Sequence, residues 1–94
     1  MEFRDKDIEA FWDNPAQNIP LRVPPDLRKM LYRKLQLLDA ATNLTDLRTP
    51  PGNHLEKLVG NRSGQHSIRI NKQWRLCFTW AQNQARGVEF NDYH

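Results

Sequence analysis

Seven residues in this chain carry side chains able to act on a phosphodiester: His54, Glu56, Arg62, Arg75 and the run Asp92, Tyr93, His94. Attack by a ribose 2′-hydroxyl on its neighbouring phosphate needs a base for the hydroxyl proton, a cation for the charged phosphorane and an acid for the leaving 5′ oxygen. Arg75 and Arg62 are candidate cations, and His94, Tyr93, Asp92, His54 and Glu56 are candidate proton carriers. Histidine titrates near neutrality, whereas a free tyrosine, with a pKa of about 10, acts as a base only beside cations. Small basic domains often hold such residues, so the inventory alone does not choose this chemistry.

Other chemistries find less support. His54, His66 and His94 lack close ligand spacing, and the single cysteine, Cys77, leaves no multi-cysteine zinc site. No metal or cofactor is therefore expected. The glycines at 60 and 64 fit neither a phosphate-binding loop nor a dinucleotide fingerprint, and no nucleophile elbow is present. Cys77 sits in an apolar stretch and reads as a buried thiol rather than a nucleophile.

The elements that must position these groups follow from periodicity. Met1 to Arg4 reads as a short strand with Phe3 inward, and Asp5 as the cap of a helix that buries Ile8, Phe11 and Trp12 and stops at Pro15. After Pro24-Pro25-Asp26, Leu27, Leu31, Leu35 and Leu38 recur at helical spacing, widened by Met30 and Ala41. Lys29 and Arg33 fall on the opposite side, flanked by Arg28 and Lys34, as a solvated ridge or an anion-binding one. A further short turn is expected at Thr45-Asp46-Leu47, before Pro50-Pro51-Gly52-Asn53 breaks the chain.

Beyond Gly52 the pattern becomes period two. Residues 54–59 lead through a turn at 60–64 to His66–Ile70; 71–73 turn again; Trp74–Trp80 forms the central strand; 81–86 reads as a loop; 87–92 forms the last strand. Short connections in succession predict an antiparallel meander, and helices followed by strands predict an α+β fold with amino-terminal helices on one face of a small, mainly antiparallel sheet. Trp74, Leu76, Phe78 and Trp80 would face the leucine helix. Arg69 and Arg75 would then lie on the other face, paired with carboxylates such as Glu56 and Glu89 or lining an anion-binding surface. On that reading, truncating Arg75 costs little packing.

The 94 residues (11.1 kDa) fit one domain, 1–94. The longest apolar run is three residues, against about 20 for a membrane span and about 7–15 for a signal-peptide core; a cytoplasmic protein without membrane attachment is expected. The net charge of +3 is unevenly spread: residues 22–34 hold five basic groups against Asp26, and residues 48–75 hold six against Glu56. Such blocks suit a phosphate-bearing partner or simply balance the acidic start.

The stretch Leu47–Asn71, LRTPPGNHLEKLVGNRSGQHSIRIN, followed by QWRLCFTW and the final DYH, resembles the HigB group of toxins within the RelE/ParE toxin–antitoxin superfamily. PPGN, GNR-x-G-x-x-SI-x-IN-x-x-WR and DYH stand in the family's order and spacing. The resemblance implies a RelE-like microbial ribonuclease fold and a ribosome-dependent endoribonuclease that cuts messenger RNA. It implies a helix-turn-helix antitoxin of the HigA type, with operator DNA reached through the complex. By position it makes Arg75 the phosphate stabiliser and Asp92, Tyr93 and His94 the carboxy-terminal catalytic residues. Arg62 and Asn71 become the basic and asparagine residues of two turns. Glu56 stands where some members have a catalytic histidine, and Val59 where they have a lysine. His54 and Lys57 lie nearby and, with Arg69, Lys29 and Arg33, complete the candidate RNA-binding set. The alternative is a non-enzymatic toxin, such as a gyrase-blocking ParE-like protein, or a ribosome- or nucleic-acid-binding module.

Overall fold

In the computed structural model, which describes residues 1–92, the leucine stripe does what its spacing dictates. Helix α2 (Arg28–Ala40), entered through a 3₁₀ turn at Pro25–Leu27, buries Leu27, Leu31, Leu35 and Leu38. Ala41 is buried too, but Met30 is exposed and does not widen the stripe. Helix α1 (Lys6–Asp13) adds Ile8 and Phe11 to the same core. Trp12 is half-buried against Tyr32 of α2, with ring centroids 5.3 Å apart.

Asp5 is a correction. It precedes α1 but makes no side-chain cap; Oδ2 instead accepts from the Phe90 amide at 2.8 Å and from Arg22 Nη2 at 2.8 Å. The carboxylate thus ties the helix start to the last strand, a stronger use than capping one exposed amide.

Four strands, β1 (Glu56–Lys57), β2 (His66–Arg69), β3 (Trp74–Ala81) and β4 (Gln84–Asp92), form an antiparallel meander in chain order. Phe3 makes a parallel bridge to Val88, so the amino terminus extends the sheet beyond β4. Both helices pack on the face carrying Leu76, Phe78, Val88 and Phe90. Trp74 and Trp80 are half-buried at its margins, Trp74 stacked on Phe90 with ring centroids 4.5 Å apart. This is the α+β architecture expected from the sequence. Between α2 and β1 the chain adds 3₁₀ turns at Leu44–Arg48, closed by a reciprocal Asn43/Asp46 capping box, and at Pro51–Asn53.

The expected 81–86 loop is instead a tight hairpin. Ala81 pairs with Gln84, leaving Gln82 (φ 55°) and Asn83 (φ 61°) as the two turn residues, the twist that a two-residue connection requires. Gly87 (φ 59°) then supplies a bulge where the register shifts between Cys77 and Thr79. One extra residue lets Ala85, Val88 and Phe90 all face the core despite their odd spacing.

Candidate active site on the open sheet face

Alternation along β3 sends Arg75, Cys77 and Thr79 away from the helices. A cavity of about 300 Å³ opens there, lined by Leu58, Val59, Arg62, Arg75, Cys77, Asn91 and Asp92. Arg75 is 4% exposed. Its Nε donates to Ser67 Oγ at 2.7 Å, and Nη2 donates to the carbonyls of His54 at 2.6 Å and Ser67 at 3.3 Å. The guanidinium is therefore fixed in position and contributes to the packed interior, so the expectation that truncation costs little is corrected.

Arg62 stands at the edge of the same cavity and is held differently. Its guanidinium spans Glu89, with Nη2 to Oε1 at 3.1 Å and Nη1 to Oε2 at 3.3 Å, and also reaches Gln65. The Glu89 hydrogen bond raises the Arg62 pKa further above its ordinary value. Arg4 adds a second cation 3.5 Å from Glu89. Cys77 lies among these groups as a buried thiol, its pKa pushed up chiefly by burial, with Asn91 Nδ2 3.9 Å from sulfur. That environment disfavours the thiolate a nucleophile needs.

The other sequence candidates divide. Glu56 pairs with Ser67, whose neighbour across β3 is Cys77, which puts Glu56 on the open face. Asp92 closes β4 at the cavity, its carboxylate accepting from Gln73 Nε2 at 3.1 Å. Arg69 is the register partner of Arg75; its Nε donates to the Asn71 carbonyl, and Nη1 lies 3.5 Å from His54 Nε2. Asn71 shapes the β2–β3 turn, its Oδ1 accepting from the amides of Gln73 and Trp74. Tyr93 and His94 lie outside the described residues.

Of the candidates, Arg62, Arg75 and Asp92 line this cavity; His54, Glu56, Arg69 and Asn71 are not among its lining residues, and Lys29, Arg33 and Lys57 lie off the open face altogether. Lys29 and Arg33 are exposed on α2, in the layer behind the sheet. Lys57 pairs with His66, one residue out of step with Glu56, and so faces the opposite side. There it lines a second cavity of about 440 Å³ with Leu44, Thr45, Arg48, Leu55 and His66. His66 stacks on Phe78 at 6.4 Å, and its buried Nδ1 lacks a hydrogen-bond partner among the described residues. Burial first, then the charge of Lys57, holds its pKa below the ordinary 6.5.

Sequence reasoning passed over Ser67, fully buried beneath Arg75. A small hydroxyl two residues before Arg69, the cross-strand partner of Arg75, and so on the same face, was the available signal. No group of three His, Cys, Asp or Glu side chains among the described residues could hold a metal ion. None of the described helices is long and apolar enough to cross a membrane.

Helices thus pack on one face of a small antiparallel meander, and a fixed arginine stands in a cavity on the other. The chain superposes on one from the YoeB-YefM toxin-antitoxin complex of Staphylococcus aureus with a TM-score of 0.54 at 24% identity, covering 95% of this chain and 85% of that one. Residues 1–94 match the family described as RelE-like toxin of type II toxin-antitoxin system HigB. Toxin HigB-1 of Vibrio cholerae serotype O1 is 44% identical over 93 residues, 99% of this chain and 92% of that protein. Endoribonuclease HigB of Proteus vulgaris is 33% identical over 92 residues, 98% and 96% of the two chains. The protein belongs to the HigB-like family, toxins of type II toxin–antitoxin systems.

Proposed function

We propose that this HigB-like toxin is an endoribonuclease that cuts messenger RNA on the ribosome and so stops translation. The observation that carries the reading is Arg75, a guanidinium fixed by Ser67 and the His54 carbonyl in the cavity that Asp92 closes. The name of the Proteus vulgaris relative, an endoribonuclease, supports the same reaction. In this reading the 94 residues work as one cytoplasmic domain. A HigA-type helix-turn-helix antitoxin restrains it and carries the pair to operator DNA. A toxin–antitoxin complex is also the setting of the Staphylococcus aureus structural neighbour.

In the proposed reaction the ribose 2′-oxygen attacks the adjacent phosphorus while its proton passes to a base. The 5′ oxygen leaves with a proton from an acid, giving a 2′,3′-cyclic phosphate and a 5′-hydroxyl. Arg75 stabilises the charge that builds on the phosphorane, a role worth about 10²–10³ in rate for one preorganised donor. Asp92, Tyr93, His94 and Glu56 share the proton transfers. Arg62, Asn71, Arg69 and His54 guide the RNA strand. Lys29 and Arg33, on the helix layer, meet the ribosome rather than the scissile phosphate.

Mapping of cleavage ends on one messenger, with and without ribosomes, tests this. Cuts should depend on ribosomes, carry cyclic-phosphate ends and vanish when deoxyribose replaces ribose at the cut position. Deleting Tyr93 and His94 should lower the rate by orders of magnitude with little change in melting temperature. Intact messenger in the presence of a toxin that still arrests growth would overturn the reading in favour of a non-enzymatic toxin.

A further inference from the structure

Lys34 has no part in the proposed chemistry, yet it is 8% exposed on the edge of the α2 leucine stripe, between Leu31 and Leu38. A methionine or leucine would suit that place, because burying an ammonium is costly unless it gains a specific partner. The partner is Asn53, whose Oδ1 accepts from Lys34 Nζ. Asn53 is fully buried, and its Nδ2 donates to the carbonyls of Leu47 at 3.1 Å and Thr49 at 3.3 Å. With its oxygen taken by Lys34 and its nitrogen by two carbonyls, the amide has one orientation, and the 50–54 turn is pinned to α2.

The next residue is His54, held in the left-handed region at φ 43°, ψ 56°. A residue with a side chain stays there only when its surroundings over-determine it. Its carbonyl accepts from Arg75 Nη2 at 2.6 Å. From helix to cavity the path is thus Lys34 ammonium, Asn53 amide, one peptide unit and the Arg75 guanidinium. We propose that Lys34 and Asn53 are positioning residues for Arg75, holding the His54 carbonyl where it aims the guanidinium into the cavity. This rests on the reading of Arg75 as the phosphorane-stabilising cation.

Lys34→Met keeps the stem and removes the donor. In messenger cleavage with ribosomes, kcat should fall about ten- to a hundredfold, the cost of misplacing a reacting group by a fraction of its contact distance. KM should hold within about twofold, and Lys34→Arg, which still donates, should recover most of the rate. In an Arg75→Lys background, which lacks the fork to the His54 carbonyl, Lys34→Met should add no further loss. A purely structural role would instead multiply with Arg75→Lys and follow the melting temperature. The Arg75 Nε NMR signal should shift in Lys34→Met, a readout that survives if the wild-type protein proves not to cut RNA. Should Lys34→Met fail to fold, Lys34→Leu, which likewise lacks a donor, takes its place in the same series. Wild-type kcat in the folded variant, an additive loss, or an unmoved Arg75 signal would overturn the proposal.

Discussion

The two cavities lie on opposite faces of one sheet, the first walled by residues of β3 and β4 and the second by residues of β1 and β2, and they differ in how their cations are held. On the open face, Arg75 is locked by Ser67 and the His54 carbonyl, and Arg62 by Glu89. On the opposite face, Arg48 and Lys57 line a slightly larger space and are exposed at its edge, with no hydrogen bond or ion pair from either side chain among the described residues. Both spaces are basic, so charge alone does not separate them. Order does. A cation that must meet a developing charge gains most when its reorganisation is complete before reaction, and only the open face meets that condition.

Arg75→Ala should break this contrast most severely. Cleavage should fall by about 10²–10³, and the buried Ser67 hydroxyl and two carbonyls lose a donor, costing about 1–3 kcal/mol of stability. For a chain of this size each kcal/mol lowers the melting temperature by roughly 4–8 °C. Single-turnover cleavage beside a thermal melt checks both. A fully active variant sinks the assignment, while an unchanged melt would mean that the buried hydrogen bonds contribute nothing net.

Arg62 and Lys57 give a gentler test of the same contrast. Arg62→Ala should cost about fivefold in cleavage efficiency, the equivalent of roughly 1 kcal/mol for a partly exposed charged group. Lys57→Ala, on the other face, should change it by less than about twofold. Measured at low and moderate salt, equal losses in the two variants would extend the RNA path around β1 and erase the distinction between the faces.

Much of this contrast was legible in the sequence, because the leucine spacing of α2 and the alternation of β3 are each strong enough to survive tertiary packing. The family-like blocks located Arg75, Arg62 and the end of β4. Three features were harder. The Gln82-Asn83 turn was hidden because glutamine seldom adopts positive φ, and the Gly87 bulge then displaced the alternation of β4 by one residue. Lys57 was grouped with Glu56 by proximity, although neighbours on a strand face opposite ways. The burial of Arg75 and Lys34 depends on Ser67 and Asn53, partners 8 and 19 residues away, and no local pattern encodes such a match.

The smallest expected effect lies in the second cavity and concerns stability rather than cleavage. His66 has its Nδ1 buried without a hydrogen-bond partner among the described residues and shares the space with Lys57 and Arg48. Burial, and then Lys57, keep its folded pKa below 6.5. As pH falls from about 7.5, the unfolded chain therefore binds this proton before the folded one does, and stability declines until the folded histidine is protonated as well. Asp7 acts in the same direction in a separate, more acidic window. Its hydrogen bond to Arg22 holds the carboxyl below 3.8, so its contribution is present above that value and lost below it. Denaturant melts between pH 7.5 and 5 should show a shallow loss of stability in the wild type and a flatter profile in His66→Phe, with cleavage at pH 7.5 unchanged. An identical slope in both proteins would assign the loss to other groups. A drop in cleavage in His66→Phe would instead tie the second cavity to the first across β2, where His66 and Ser67 are adjacent.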